Sequence, residues 1–225
     1  MTKERLARDD GAALLLALVA LMILSAVGGA LVLTTTSDAL IAGAFRDQRG
    51  AVGAADAIIA RAVDEMASIP DWNALLAGAV SPALADGPPG GTRLLGDGSA
   101  IDLRQVVNRA NCQNAGAACT TADLDAVTDS RPWGTANPRW QLYAYGPLGT
   151  FLPAGGDEPP WYVVLLVADD PLRSDKMIAL RAEAYGPRNA HAVVEVLAAR
   201  SSVGDNHYNG EGLAPVSIVS WREVR

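Results

Sequence analysis

The stretch Gly11-Ala-Ala-Leu-Leu-Leu-Ala-Leu-Val-Ala-Leu-Met-Ile-Leu-Ser-Ala-Val-Gly-Gly-Ala-Leu-Val-Leu-Thr-Thr-Thr36 decides how the rest of the chain is read. Its last 25 residues, Ala12 to Thr36, carry no charge and form a helix of roughly 37 Å, enough to cross a bilayer with some tilt. A secretory signal peptide has a shorter apolar core and a small-residue cleavage site at its far end, whereas this run merges into further helical pattern. Cleavage near Gly28 to Ala30 stays open as an alternative. Upstream, Lys3, Glu4, Arg5, Arg8, Asp9 and Asp10 crowd the first ten positions. Three basic residues ahead of the span favour a cytoplasmic N-terminus.

Downstream the apolar period continues through Ile41, Phe45, Gln48, Val52, Ala55, Ile59, Val63 and Met66, at steps of three and four. Ile69-Pro70-Asp71 supplies a stop, because a residue that precedes proline disfavours helical geometry. The reading is therefore one helix of about 55 residues, with residues 12–36 in lipid and 37–69 amphipathic. Residues 70–160 are rich in turn chemistry, as in Asp86-Gly-Pro-Pro-Gly-Gly-Thr92, and are expected to be irregular. Residues 161–225 are expected to form an antiparallel sheet of about four strands. Trp161 to Ala168 is a buried-type run, and 177–185 alternates Ile178, Leu180 and Ala182 against Arg181, Glu183 and Tyr185. Trp140 to Tyr145 is a candidate additional strand. The expected fold is α+β, with one sheet face laid on the second half of the helix.

Gly11 followed by Ala-Ala-Leu-Leu-Leu-Ala-Leu resembles the prepilin peptidase site of type IV pilins. Leu33-Thr-Thr-Thr-Ser-Asp-Ala-Leu-Ile-Ala-Gly-Ala-Phe-Arg-Asp-Gln-Arg-Gly-Ala-Val-Gly-Ala-Ala-Asp-Ala-Ile58 is similar to the N-terminal region of PilX-type minor pilins. The likeness covers roughly Gly11 to Ala62. It implies a pilin-like fold, removal of a leader (residues 1–11) after Gly11, and methylation of the new N-terminal amine of Ala12. It also implies a single-pass inner-membrane protein with an extracytoplasmic C-terminal domain, which reaches the cell surface in a pilus after assembly. The implied partners are other pilins and minor pilins, the prepilin peptidase and membrane lipid. Major pilins carry glutamate at the fifth mature position, where this chain has Leu16. A charge in an apolar filament core needs a partner, so its absence implies an initiating or tip-proximal subunit. Minor pseudopilins of type II secretion share that feature and remain an alternative. A signal-anchored extracytoplasmic enzyme or binding module is another. Asp9-Asp10 departs from the basic residues commoner before the cut. Gly28-Gly29 weakens the helix by about 1 kcal/mol per glycine.

The net charge of −7 and pI near 4.8 argue against a phosphate-binding surface, and no nucleic acid is expected as a partner. Cys112 and Cys119, with Asn-Ala-Gly between them, read as a disulfide in an oxidising compartment and as free thiols otherwise. His191 and His207 lack any accompanying nucleophile motif and read as structural or exposed. Asp169, Asp170 and Asp175 are the candidate oxygen ligands for Ca²⁺, but no glycine marks a metal loop and Arg173 lies among them, so a solvated hairpin loop is preferred. Asp86, Asp97 and Asp102 are too loosely spaced for a carboxylate pair. Gly87 to Gly91 lacks the Lys-Ser/Thr of a phosphate loop. No cofactor and no enzymatic activity are expected.

Overall fold

In a computed structural model, which describes residues 3–80, 85–113, 119–130, 139–151, 160–169, 177–200 and 215–224, the apolar run belongs to one helix, α1 (Lys3–Ala67). It is longer than expected because the charged leader continues it, and it ends two residues before Ile69-Pro70, as the sequence predicts. The chain divides into two units, Met1–Arg46 and Asp47–Arg225, and α1 contributes to both.

In the second unit, Ala51, Ala54, Ala55, Ile58, Ile59, Ala62 and Met66 of α1 are buried. This corrects the predicted stripe at its upstream end: Ile41 and Phe45 are exposed, at 67% and 61%. Alanine dominates the true stripe because short side chains let the helix backbone approach the sheet closely.

Residues 70–160 carry more structure than expected. A short helix, α2 (Trp72–Leu76), is capped by Asp71, whose carboxylate accepts from Asn73 N at 2.9 Å. Strands β1 (Thr92–Leu94) and β2 (Ala100–Asp102) form a hairpin. Asp102 then caps α3 (Leu103–Cys112), accepting from Arg104 N at 2.8 Å and Gln105 N at 3.3 Å. Helix α4 (Thr121–Ser130) starts with a reciprocal cap: Thr120 Oγ1 accepts from Asp123 N at 3.2 Å while Thr120 N donates to the Asp123 carboxylate at 2.9 Å. These caps satisfy N–H groups that a first helical turn leaves without partners.

Among the described residues, five strands form one antiparallel sheet in the order β3 (Gln141–Pro147), β4 (Tyr162–Asp169), β5 (Met177–Tyr185), β6 (His191–Arg200), β7 (Val216–Val224). Each strand pairs with its neighbour in sequence. The expected four strands are present, and the candidate at 140–145 is the fifth.

Alternation sends Val163, Leu165, Val167, Ile178, Leu180 and Val194 to the α1 side. The opposite face is also covered, by Leu103, Val106 and Ala110 of α3 against Val164, Leu166, Ala168 and Tyr162. With helices on both sides, β4 is buried along Tyr162 to Ala168, which is why its sequence is apolar throughout. Asn111 ties α3 to the strand entrance, donating to Trp140 O at 2.9 Å and accepting from Trp140 N at 2.7 Å.

Candidate functional site

Two features stand out: the apolar surface of α1 and a charged cluster on the α3 side of the sheet. Leu14, Leu15, Leu16, Leu21, Met22, Leu24, Leu31 and Leu33 are each at least 60% exposed, and Leu40, Ile41 and Phe45 extend that surface. α1 is long and apolar enough to cross a membrane. Its threonine run satisfies itself: the Thr34, Thr35 and Thr36 hydroxyls donate to the carbonyls of Ala30 through Leu33 at 2.8–3.1 Å. Back-bonding of this kind lets a hydroxyl enter hydrocarbon without an unpaired donor.

The sequence-predicted positions fall along the same helix. The peptide bond between Gly11 and Ala12 is helical in backbone, Ala12 is exposed, and Leu16 is 71% exposed. A Cβ added at Gly28 or Gly29 would meet nothing within 4 Å among the described residues, so no packing among them requires either glycine.

The charged cluster is built by register. Arg181 and Glu183 share one face of β5, and Arg181 lies opposite Glu195 on β6, which in turn lies opposite Arg222 on β7. Arg181 Nε donates to Glu183 Oε1 at 2.9 Å and its Nη1 donates to Glu195 Oε1 at 2.6 Å. Arg222 Nε donates to Glu195 Oε2 at 2.8 Å. The Tyr185 hydroxyl donates to Glu183 Oε2 at 2.6 Å and accepts from Arg109 of α3 at 3.3 Å. His191 Nε2 lies 3.3 Å from the same carboxylate oxygen, and its ring stacks on Tyr185 with centroids 4.6 Å apart.

Glu183 is 2% exposed. Burial alone would push its carboxyl up, but the His191 hydrogen bond, the Arg181 charge and the Tyr185 and Arg181 hydrogen bonds together outweigh burial and hold it at about 2. Burial, then the Glu183 charge, pushes the Tyr185 hydroxyl well above its ordinary range. An ionised carboxylate that already accepts three donors and a phenol locked in its neutral form make an electrostatic fastener between α3 and the sheet. Neither is poised to exchange protons near neutral pH.

The other predicted residues separate. Cys112, at the end of α3, is disulfide-bonded to Cys119, just before α4, with Cα atoms 6.0 Å apart. Asp169 is exposed at the end of β4, while Asp170, Asp175 and His207 lie outside the described residues. Among the described residues no group of three His, Cys, Asp or Glu could hold a metal ion. Asp86, Asp97 and Asp102 each serve local structure. Asp86 accepts from the Tyr162 hydroxyl at 3.0 Å and pairs with Arg93 at 3.5 Å, Asp97 accepts from Ser99 N at 3.0 Å, and Asp102 is the α3 cap. Arg93 also donates to the carbonyls of Asp86, Pro88 and Gly90, which fixes the glycine–proline loop predicted at 86–92.

Sequence reading missed the long-range contacts that hold α1, among them Trp221 Nε1 of β7 donating to Asp56 at 2.8 Å. Arg188 grips Asp47, and Arg200, at the end of β6, donates to the Met66, Ile69 and Pro70 carbonyls. No protein-family model matches this chain, and no curated protein or solved structure matches it at a significant level.

Proposed function

We propose that the chain is a minor pilin of the PilX type, a single-pass inner-membrane subunit that enters a type IV pilus-like filament through α1, at initiation or at the tip. The observation that carries this reading is the length of the exposed apolar surface. That surface is uninterrupted from Leu14 to Leu33 and resumes at Leu40, Ile41 and Phe45 after the polar stretch Thr34 to Asp38, so that it runs about 46 Å along the helix in all, against roughly 30 Å of hydrocarbon in a bilayer. Lipid covers only part of it, and an apolar protein surface is the natural cover for the remainder. Other pilins and minor pilins are the partners of that chemistry. The disulfide suits an extracytoplasmic domain.

In this reading a prepilin peptidase cuts after Gly11 and methylates Ala12. Because the Gly11–Ala12 bond is helical, the peptidase has to unwind that turn to reach it. The product reaches the cell surface in the pilus. Leu16, at the fifth mature position, removes the need for a neighbouring amine and suits a subunit that sits first; it suits a type II secretion minor pseudopilin equally, and co-purification with one filament or the other separates the two.

The test is intact-mass and N-terminal analysis after co-expression with a prepilin peptidase, with Gly11→Val as control. A product that begins at Ala12, heavier by one methyl group and absent in the variant, supports the reading. An uncut chain favours a signal-anchored extracytoplasmic protein, and a cut near Gly28 to Ala30 overturns the membrane assignment.

A further inference from the structure

Asp47 and Gly50 lie one helical turn apart on α1; Asp47 faces the hairpin that joins β5 to β6, and Gly50 faces the Trp161 ring. The Asp47 side chain is only 12% exposed. Its two oxygens accept from Arg188 Nε at 2.7 Å and Nη2 at 2.5 Å, a two-point grip that a single charge contact lacks. Arg188 makes that grip from a left-handed backbone (φ 56°, ψ 35°), followed by Asn189 at φ 59°. Left-handed geometry costs most residues with a side chain, but it is what a two-residue hairpin turn requires, and this turn closes where Ala190 N donates to Pro187 O at 3.1 Å.

The second contact is steric. The Trp161 ring fits against both Gly50 and Gly186: a Cβ at Gly50 would stand 2.5 Å from Trp161 Cζ2, and one at Gly186 would stand 2.0 Å from Cζ3. The ring therefore occupies space that only glycine leaves open on the helix and on the hairpin. Ala51, Ala54 and Ala55 are buried from this turn onward.

We propose that Asp47, Arg188 and Trp161 form a clasp that holds the Asp47–Gly50 turn of α1 on the sheet, so that local opening of the helix stops there and does not run into the core. A helix opens turn by turn until tertiary contacts oppose it, and these contacts act on the first buried turn. The inference stands independently of the pilin reading.

Hydrogen–deuterium exchange of the full chain in detergent micelles tests it, read by mass spectrometry over peptides within 47–58 and within strands β4 and β5. Asp47→Asn removes the charge with little change of shape. Arg188→Gly removes the ion pair while making the left-handed turn easier, so a loosened helix in this variant traces to the pair and not to the turn. Both variants are expected to raise exchange over 47–55 by about tenfold and to leave the strands unchanged. Unchanged exchange over 47–55 overturns the clasp. So does an equal rise in the strands, which would make the contact part of the global fold and not a local stop.

Discussion

Arg200 donates to the Met66 carbonyl at 3.0 Å, so the last residue of β6 caps the end of a helix 134 positions earlier in the chain. The same guanidinium reaches the Ile69 and Pro70 carbonyls and lies 4.8 Å from the centre of the Trp72 ring. The final carbonyls of a helix carry partial negative charge and have no partner within the helix, which a cation with several donors satisfies.

Arg200→Ala is expected to lower domain stability by about 1–3 kcal/mol, since charge-assisted hydrogen bonds to the Ile69 and Pro70 carbonyls are lost, while the Met66 carbonyl still accepts from Ile69 N and Trp72 Nε1 at 3.2 Å. Arg200→Lys should recover only part, because one ammonium cannot match the planar fork. Denaturant unfolding followed by tryptophan fluorescence checks both.

Glu183 predicts a pH response. Its folded value of about 2 lies below the unfolded value of about 4.3. Its contribution is therefore complete above the unfolded value and is lost as pH falls through about 2. Wild-type stability should decline across that window, and Glu183→Gln should decline less steeply there. At neutral pH the same variant should cost about 1–3 kcal/mol, because Arg181 loses one of its two carboxylate partners and keeps Glu195. Unfolding free energies measured from pH 2 to 7 test the sign and the window.

Gly186→Ala is expected to destabilise by about 1–3 kcal/mol or more, since its Cβ would overlap the Trp161 ring and the neighbours would have to shift. Gly186 has an extended backbone (φ −146°), so the penalty is steric. Trp161→Leu should then largely remove the additional cost of Gly186→Ala. A double-mutant cycle with a coupling energy near zero would refute the wedge.

Reduction of the Cys112–Cys119 disulfide should lower stability by about 2–3 kcal/mol in the chain-entropy model for a short loop. The loosening should begin at the end of α3 and the start of α4. Unfolding with and without a reductant, with Cys112→Ser/Cys119→Ser as control, measures it.

Much of the architecture was legible because it repeats locally. Ala12 to Thr36 announces a helix long and apolar enough to cross a membrane, and Ile69-Pro70 announces the helix end. Alternation over 177–185 correctly divided Ile178, Leu180 and Ala182 from Arg181, Glu183 and Tyr185. Helix α3 was overlooked although its signal was present: Asp102 as cap, then Leu103, Val106 and Ala110 on one face. The turn-rich stretches on either side of it masked a ten-residue pattern. Ile41 and Phe45 continue the helical period, yet nothing in a period says where the sheet begins to cover it.

The sequence by itself determined the elements whose causes lie within a few residues: the apolar helix, its proline stop, the strand faces and the closeness of Cys112 to Cys119. Tertiary structure alone decided which charges meet. Asp47 and Arg188 stand 141 positions apart, and Arg109 and Tyr185 stand 76 apart. Their attraction depends on distance and burial in space, and strand register and helix packing set both.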